Sequence, residues 1–195
     1  MSNNTTKTVV YGGAFTPPTI GHHEIVRALL GHLDIDRLLI VPSGPRIDKA
    51  YALEKETRRQ IIQIFADEFG DKRVVVDFTF LDGESDTTTL GMDRHYREKL
   101  GTSPIQVFGA DVTSSMERWP NSPDDSDYLL QRLPKVFLSR AWVEMSLEWK
   151  WNYEIINAVI PEASSTAVRE QGRVDLLTDQ VRAAYKELVL DRAIA

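Results

Sequence analysis

The chain contains no cysteine, which excludes disulfides, thiolate nucleophiles and cysteine-ligated zinc. Histidine is scarce as well. Only four occur in 195 residues, two of them the adjacent His22 and His23, too few for a histidine-rich metal centre. Basic residues are outnumbered, with 23 Lys and Arg against 29 Asp and Glu for a net charge of -6. That balance argues against nucleic acid or an anionic membrane surface as the main partner, since both need a broad basic field. No apolar run approaches the roughly 20 residues needed to span a bilayer. Met1 to Thr8 is polar and lacks the apolar core of a signal peptide. The expectation is a cytoplasmic enzyme or binding protein.

What is present has the pattern of an α/β domain. Short β-rich runs alternate with segments of helical period, as in a mainly parallel sheet with crossover helices. Strands are expected near Thr8 to Gly12, Arg37 to Val41, Val74 to Phe80, Ile105 to Phe108, Lys135 to Ser139 and Ile155 to Ile160. Several are nearly continuous apolar runs, as strands covered on both faces require. Gly21 to Leu33 places Ile25, Val26, Leu29, Leu30 and Leu33 on one helical face, and Glu54 to Phe69 does the same before Gly70. A third helix is expected over Thr89 to Leu100, stopping at Gly101. Ser164 to Glu170 and Thr178 to Arg192 complete the helical set. The fold class expected is a Rossmann-like, doubly wound α/β sheet in one domain, residues 1–195, with 161–195 as a C-terminal helical subregion.

One stretch departs from this pattern. From Val143 to Trp151 apolar and polar residues alternate strictly, which predicts a half-buried edge or antiparallel strand. Its tryptophans read as core cover, with a subunit contact in a homo-oligomer as the other reading.

Three separated segments carry chemistry. Gly12 to His22 reads G-G-A-F-T-P-P-T-I-G-H and follows the first strand directly. Glycines let the backbone approach a polyanion, and the amides and dipole of the following helix favour negative charge there. Near the end lie Ser164, Ser165, Thr166 and Arg169. The hydroxyls there suit either a helix cap or phosphate oxygens, and the planar fork of arginine suits a diphosphate. Gly109, Ala110 and Asp111 follow the fourth strand, with Trp119 eight residues after Asp111. An acid at the carboxyl end of a parallel strand can accept from ribose hydroxyls, and an indole can stack on a flat ring. An N-cap for Asp111 and core packing for Trp119 are the alternatives.

Together these motifs resemble those of the nucleotidyltransferases related to class I aminoacyl-tRNA synthetases. Within that superfamily they most resemble the nicotinate or nicotinamide mononucleotide adenylyltransferases. The likeness extends over nearly the whole chain, with Leu138-Ser139-Arg140 after a late strand and S-S-T-A-V-R near the end. It implies catalytic roles for His22 and Arg169. It further implies ATP contacts at Gly13, Phe15, Thr19, Gly21, His22, Lys49, Gly109, Asp111, Ser165, Thr166 and Arg169. Gly12, Ala14, Lys49, Thr89 and Trp119 would face the mononucleotide. Lys49 resembles the family's phosphate-binding lysine, although Asp48 stands where a histidine usually precedes it. In the Thr-rich loop Glu84 to Leu90 only Thr89 and Leu90 match cleanly.

The resemblance implies adenylyl transfer from ATP to a pyridine mononucleotide, with release of pyrophosphate. The substrates would be small molecules only, with no nucleic acid and no membrane. Magnesium is expected to arrive mainly on ATP, since no acidic cluster in the sequence resembles a dedicated cage. Two other readings are compatible with the residues: another adenylyltransferase of the superfamily, such as one acting on pantetheine phosphate, or a catalytically silent nucleotide-binding module.

Overall fold

The computed structural model describes residues 6–44, 53–83, 86–119, 122–139, 145 and 151–193. Its elements in chain order are β1 (Thr8–Gly13), α1 (Ile20–His32), β2 (Arg37–Pro42), α2 (Lys55–Asp67), β3 (Val74–Val76), α3 (Thr89–Leu100) and β4 (Ile105–Gly109). The short α4 (Pro123–Asp127), β5 (Lys135–Ser139), β6 (Tyr153–Asn157), α5 (Ser165–Gln171) and α6 (Asp179–Tyr185) follow. The strands form a six-stranded sheet in the order β3-β2-β1-β4-β5-β6, and every pairing is parallel. The chain therefore builds outward from β1 in one direction, returns, and builds outward in the other from β4. This is the doubly wound arrangement that the βα alternation predicts.

Side-chain alternation along the strands explains how both faces are covered. Val9, Tyr11, Leu38, Ile40, Val107 and Val136 join a buried cluster with Ile25, Val26 and Leu29 of α1, Ile61, Ile62 and Phe65 of α2 and Val181 of α6. Their strand neighbours Val10, Leu39 and Val41 point the other way and pack with Phe80 and with Tyr96 of α3. A third cluster gathers Met116, Leu129, Leu130, Leu133, Phe137 and Trp151.

Two strand boundaries differ from the sequence expectation. β3 ends at Val76 rather than Phe80. Asp77 turns the chain there, because its Oδ1 accepts from the Thr79 N–H at 3.0 Å, and Phe80 packs under α3 instead of continuing the ladder. Lys55 and Arg59 then hold the Asp82 carboxyl below its usual range and tie this turn to the start of α2. β6 begins and ends earlier than Ile155 to Ile160, because its register is set by β5, from Lys135 opposite Tyr153 to Ser139 opposite Asn157. In the alternating stretch, only Met145 and Trp151 fall within the described residues. Trp151 is buried, in keeping with core cover, whereas the expected strand itself lies outside them.

The sheet holds one unusual charge. Lys135, at the start of β5, is 2% exposed, and its Nζ donates to the carbonyls of Leu130, Leu133 and Asn152 at 2.8 to 2.9 Å. Three carbonyls satisfy the three N–H donors of an ammonium. Burial nevertheless pushes its pKa from the usual 10.5 down to about 8. Between these values the unfolded chain holds the proton more tightly, so unfolding takes up a proton and stability rises with pH. Below about 8 both states are charged and the contribution is flat. We expect the stability of the wild type relative to Lys135→Met to increase as pH climbs from about 8 towards 10.5. Urea unfolding of both proteins across that window checks this, and parallel curves would refute it.

Candidate active site

β1 and β4 pair only at Val9 with Ile105 and Val10 with Gln106, although β1 runs on to Gly13 and β4 to Gly109. Their carboxyl ends part at the point where the strand order reverses, which is where open α/β sheets bind ligands. A cavity of about 550 Å³ opens there. Its walls include Gly12 and Gly13 at the end of β1 and Ala14 just after it, Thr87 to Thr89 at the start of α3, and Gln106, Phe108 and Trp119 on the β4 side.

The loop from β1 to α1 is held by its carbonyls. Gly13 O accepts from the N–H and the hydroxyl of Ser43, at 2.8 and 3.3 Å. Ala14 O accepts from Arg58 Nη2 at 2.7 Å, and the same nitrogen donates to Ser43 O at 2.9 Å. Thr16 and Pro17 each precede a proline, so neither following peptide has an N–H and each carbonyl acts only as an acceptor. Arg169 Nη1 donates to Thr16 O at 2.6 Å, and the Ser165 hydroxyl donates to Pro17 O at 2.7 Å. A planar trans peptide directs its N–H opposite its C=O. Drawing Ala14 O towards Arg58 therefore turns the Phe15 N–H the other way. Phe15 itself has a positive φ of 47°, a strained choice for a bulky residue, and its buried ring lies edge-on to Tyr11.

α1 starts with a capping arrangement that explains the spacing T-I-G-H. Thr19 is the N-cap and His22 the third helical residue, the place usually held by Glu or Gln in a capping box. The Thr19 N–H donates to His22 Nδ1 at 3.0 Å, and the Thr19 hydroxyl lies 2.8 Å from the same nitrogen. A nitrogen that accepts from a backbone N–H carries no proton. The ring is thus the neutral tautomer with its hydrogen on Nε2. Phe15 lies against it, with ring centroids 5.2 Å apart. Gly21 suits the tight space there, since a Cβ would stand 3.2 Å from Pro161 O. The start of α1 is thereby pressed against the segment leading into α5.

The site residues expected from the sequence fall into two groups. Gly12, Ala14, Thr89 and Trp119 line the cavity together with Gly13. Trp119 is 38% exposed and packs against Phe108 at 5.8 Å, so it stands at the mouth rather than in the core. Thr19, Gly21, His22, Ser165 and Arg169 gather where α1 and α5 begin, with Phe15 between the groups. Ser165 and Arg169 are engaged with loop carbonyls, a structural duty the sequence does not reveal. Ser164 is the N-cap of α5, accepting from the Ala167 N–H at 3.0 Å, and Thr166 is exposed. Gly109 ends β4, and Asp111 is exposed in the tight turn that follows, so it is neither buried nor an N-cap. Lys49 lies outside the described residues.

The sequence reading singled out neither Ser43 nor Gln106. Of the adjacent arginines on α2, Arg58 is 2% exposed while Arg59 bridges to Asp82. Gln106 did carry a signal, as a polar residue in a strand expected to be covered on both faces. Among the described residues no group of three or more His, Asp or Glu side chains could hold a metal ion. The donors gathered here are amides, hydroxyls and an imidazole, a set suited to phosphate oxygens. No helix among the described residues is long and apolar enough to cross a membrane.

The cytidylyltransferase-like family model matches residues 10–171. The chain belongs to that family. Within this nucleotidyltransferase family it is 31% identical over 164 residues to a probable nicotinate-nucleotide adenylyltransferase of Sulfurimonas denitrificans, covering 83% of this chain and 82% of the relative. It is 24% identical over 185 residues to one of Sulfurovum, covering 94% of each. Among solved structures, the nicotinic acid mononucleotide adenylyltransferase of Plasmodium falciparum complexed with NaAD superposes with a TM-score of 0.72. It covers 95% of this chain and 98% of that one at 18% identity, a likeness of fold.

Arg58 supplies the test of how the loop is held. A buried guanidinium that donates to two carbonyls across 15 and 44 residues leaves both stranded when it is removed. Arg58→Met should lower the unfolding free energy by about 2 to 4 kcal/mol. Denaturant titration measures this, and a loss below about 0.5 kcal/mol would show that the loop holds its shape without it.

Proposed function

We propose that this nucleotidyltransferase transfers the adenylyl group of ATP to nicotinate mononucleotide, forming the deamido dinucleotide and pyrophosphate. The observation that carries the reading is the cavity between the parted ends of β1 and β4. It adjoins the glycine loop on one side and the free indole of Trp119 on the other. The relatives named as nicotinate-nucleotide adenylyltransferases support the same reaction.

In this reaction an oxygen of the mononucleotide 5′-phosphate attacks the α-phosphorus of ATP. A new P–O bond forms, the bond to the bridging α–β oxygen breaks, and pyrophosphate leaves with that electron pair. The nucleophile is already anionic, so catalysis rests on alignment and on stabilising the charge that develops. His22 fits the second task. With Nδ1 fixed by Thr19, its Nε2–H is a donor oriented before substrate arrives. Thr19 and Gly21 act by placing that ring. Gly13 and Phe15 offer backbone to the ATP phosphates beside it.

Arg169 serves twice in this reading. One Nη1 hydrogen holds Thr16 O, and the remaining donors of the fork meet the leaving pyrophosphate with Thr166 and the amides that open α5. Ser165 contributes chiefly by holding Pro17 O. Gly109 and Asp111 face the adenosine ribose, and Lys49 the phosphates of both substrates. Gly12, Ala14, Thr89 and Trp119 receive the mononucleotide, with Trp119 against its ring. Magnesium carried by ATP would neutralise the polyphosphate that an acidic protein cannot.

A nicotinate rather than a nicotinamide ring fits the start of α3. Thr87, Thr88 and Thr89 border the cavity where this helix begins, and a helix N-terminus favours a carboxylate over a neutral amide. Replacing His22 by Ala should lower kcat by roughly 100-fold or more while folding stays intact. Pyrophosphate release with ATP and nicotinate mononucleotide is the assay. Near-normal turnover by that variant would remove His22 from the chemistry.

A further inference from the structure

Arg58 spends one nitrogen on two loops. Its Nη2 donates to Ala14 O at 2.7 Å and to Ser43 O at 2.9 Å. Ala14 belongs to the loop after β1 and Ser43 to the one after β2, and both line the cavity. Arg58 itself is 2% exposed and lies behind that lining, so its influence on the site runs through these two peptides. A guanidinium nitrogen is planar and fixes the angle between its two hydrogens. The two carbonyls are therefore set in one register.

Each peptide is also pinned by its neighbours. On the first loop, Phe15 follows Ala14 with its strained φ of 47°, and its ring packs against Gly13, where a Cβ would stand 3.1 Å from it. Such strain persists only where the surroundings over-determine the backbone. On the second loop, a Cβ on Gly44 would collide with Phe80 O, so the Ser43–Gly44 peptide lies hard against that turn. The N–H and hydroxyl of Ser43 join the two loops directly at Gly13 O. Arg58 closes this set of contacts from the side of α2.

Resting on the adenylyl-transfer reading above, in which the Phe15 backbone faces the ATP phosphates and the cavity takes the mononucleotide, we infer that Arg58 is a positioning residue for the transfer step. It sets the distance between the backbone that holds ATP and the wall that holds the acceptor. That distance fixes the line along which the 5′-phosphate oxygen meets the α-phosphorus. Each substrate keeps its other contacts when Arg58 is lost, with His22 and Arg169 on one side and Thr89 and Trp119 on the other. Binding then changes little and alignment changes most. A misplacement of about 1 Å between reacting atoms costs on the order of 100-fold in rate.

Pyrophosphate release with ATP and nicotinate mononucleotide, measured for wild type, Arg58→Lys and Arg58→Met, tests this role, with Arg182→Met as the control. Arg182 also gives its guanidinium to two backbone carbonyls, those of Val174 and Leu177, but on α6 and away from the cavity wall. Both Arg58 variants, assayed where they are folded, should lose about tenfold or more in kcat while KM for each substrate stays within about threefold. The lysine variant keeps the charge but not the fixed angle, and it keeps the question answerable if the methionine variant fails to fold. Arg182→Met should keep the wild-type kcat. Folded Arg58 variants that lose less than about tenfold in kcat, or that shift either KM beyond about threefold, would overturn the positioning role and leave the adenylyl-transfer reading standing. An equal fall in kcat for Arg182→Met would assign the effect to stability and overturn it as well. A folded wild type that releases no pyrophosphate with nicotinate mononucleotide would overturn that reading, and this one with it.

Discussion

The clasp between the loop after β1 and helix α5 is the constraint on which the rest of the site depends. Two prolines in succession after Thr16 leave two carbonyls in a short loop with no N–H to offset them. Those carbonyls require donors from elsewhere, and Arg169 and Ser165 bring them from about 150 residues away. Gly21 lets the start of α1 approach Pro161 O closely enough for this to happen. The N-termini of α1 and α5 are thereby held side by side. Each is a patch of partial positive charge, and two adjacent patches favour a polyphosphate more than either alone.

Within that frame the protein concentrates little formal charge at its site. Arg58 and Arg169 both spend N–H groups on backbone carbonyls, so part of their effect is to orient peptides rather than to meet substrate directly. His22 is held neutral by the Thr19 N–H and contributes an aligned donor. This economy accords with an acidic chain that must still take up two anionic substrates. Peptide dipoles attract phosphate locally without the broad basic surface that would also attract nucleic acid.

Much of the architecture was legible because it rests on periodicity. Near-continuous apolar strands and helices with one apolar face leave few alternatives to a parallel sheet with crossovers, and G-G-A-F-T-P-P-T-I-G-H marked the loop that follows its first strand. Boundaries were less legible where a local polar contact overrode the apolar run. Asp77 ended β3 four residues early by capturing the Thr79 N–H, and β6 shifted to match β5. Among the residues expected to face the mononucleotide, Gly12, Ala14, Thr89 and Trp119 line one cavity although they come from well-separated segments of the chain. Gln106 went unsingled because its place in the cavity wall is set by how the strands and α3 pack.

The sequence by itself determined the fold class and the family, since each is written in residue types at short, fixed spacing. Only the tertiary structure decided what individual side chains do. That Ser165 and Arg169 hold a loop depends on which carbonyls lie within their reach. Which of two adjacent arginines is buried depends on helix phase against the loop. That Gln106 is buried in the cavity wall is likewise a matter of packing. Such facts are set by distances between segments remote in the chain, and residue order alone does not encode a distance.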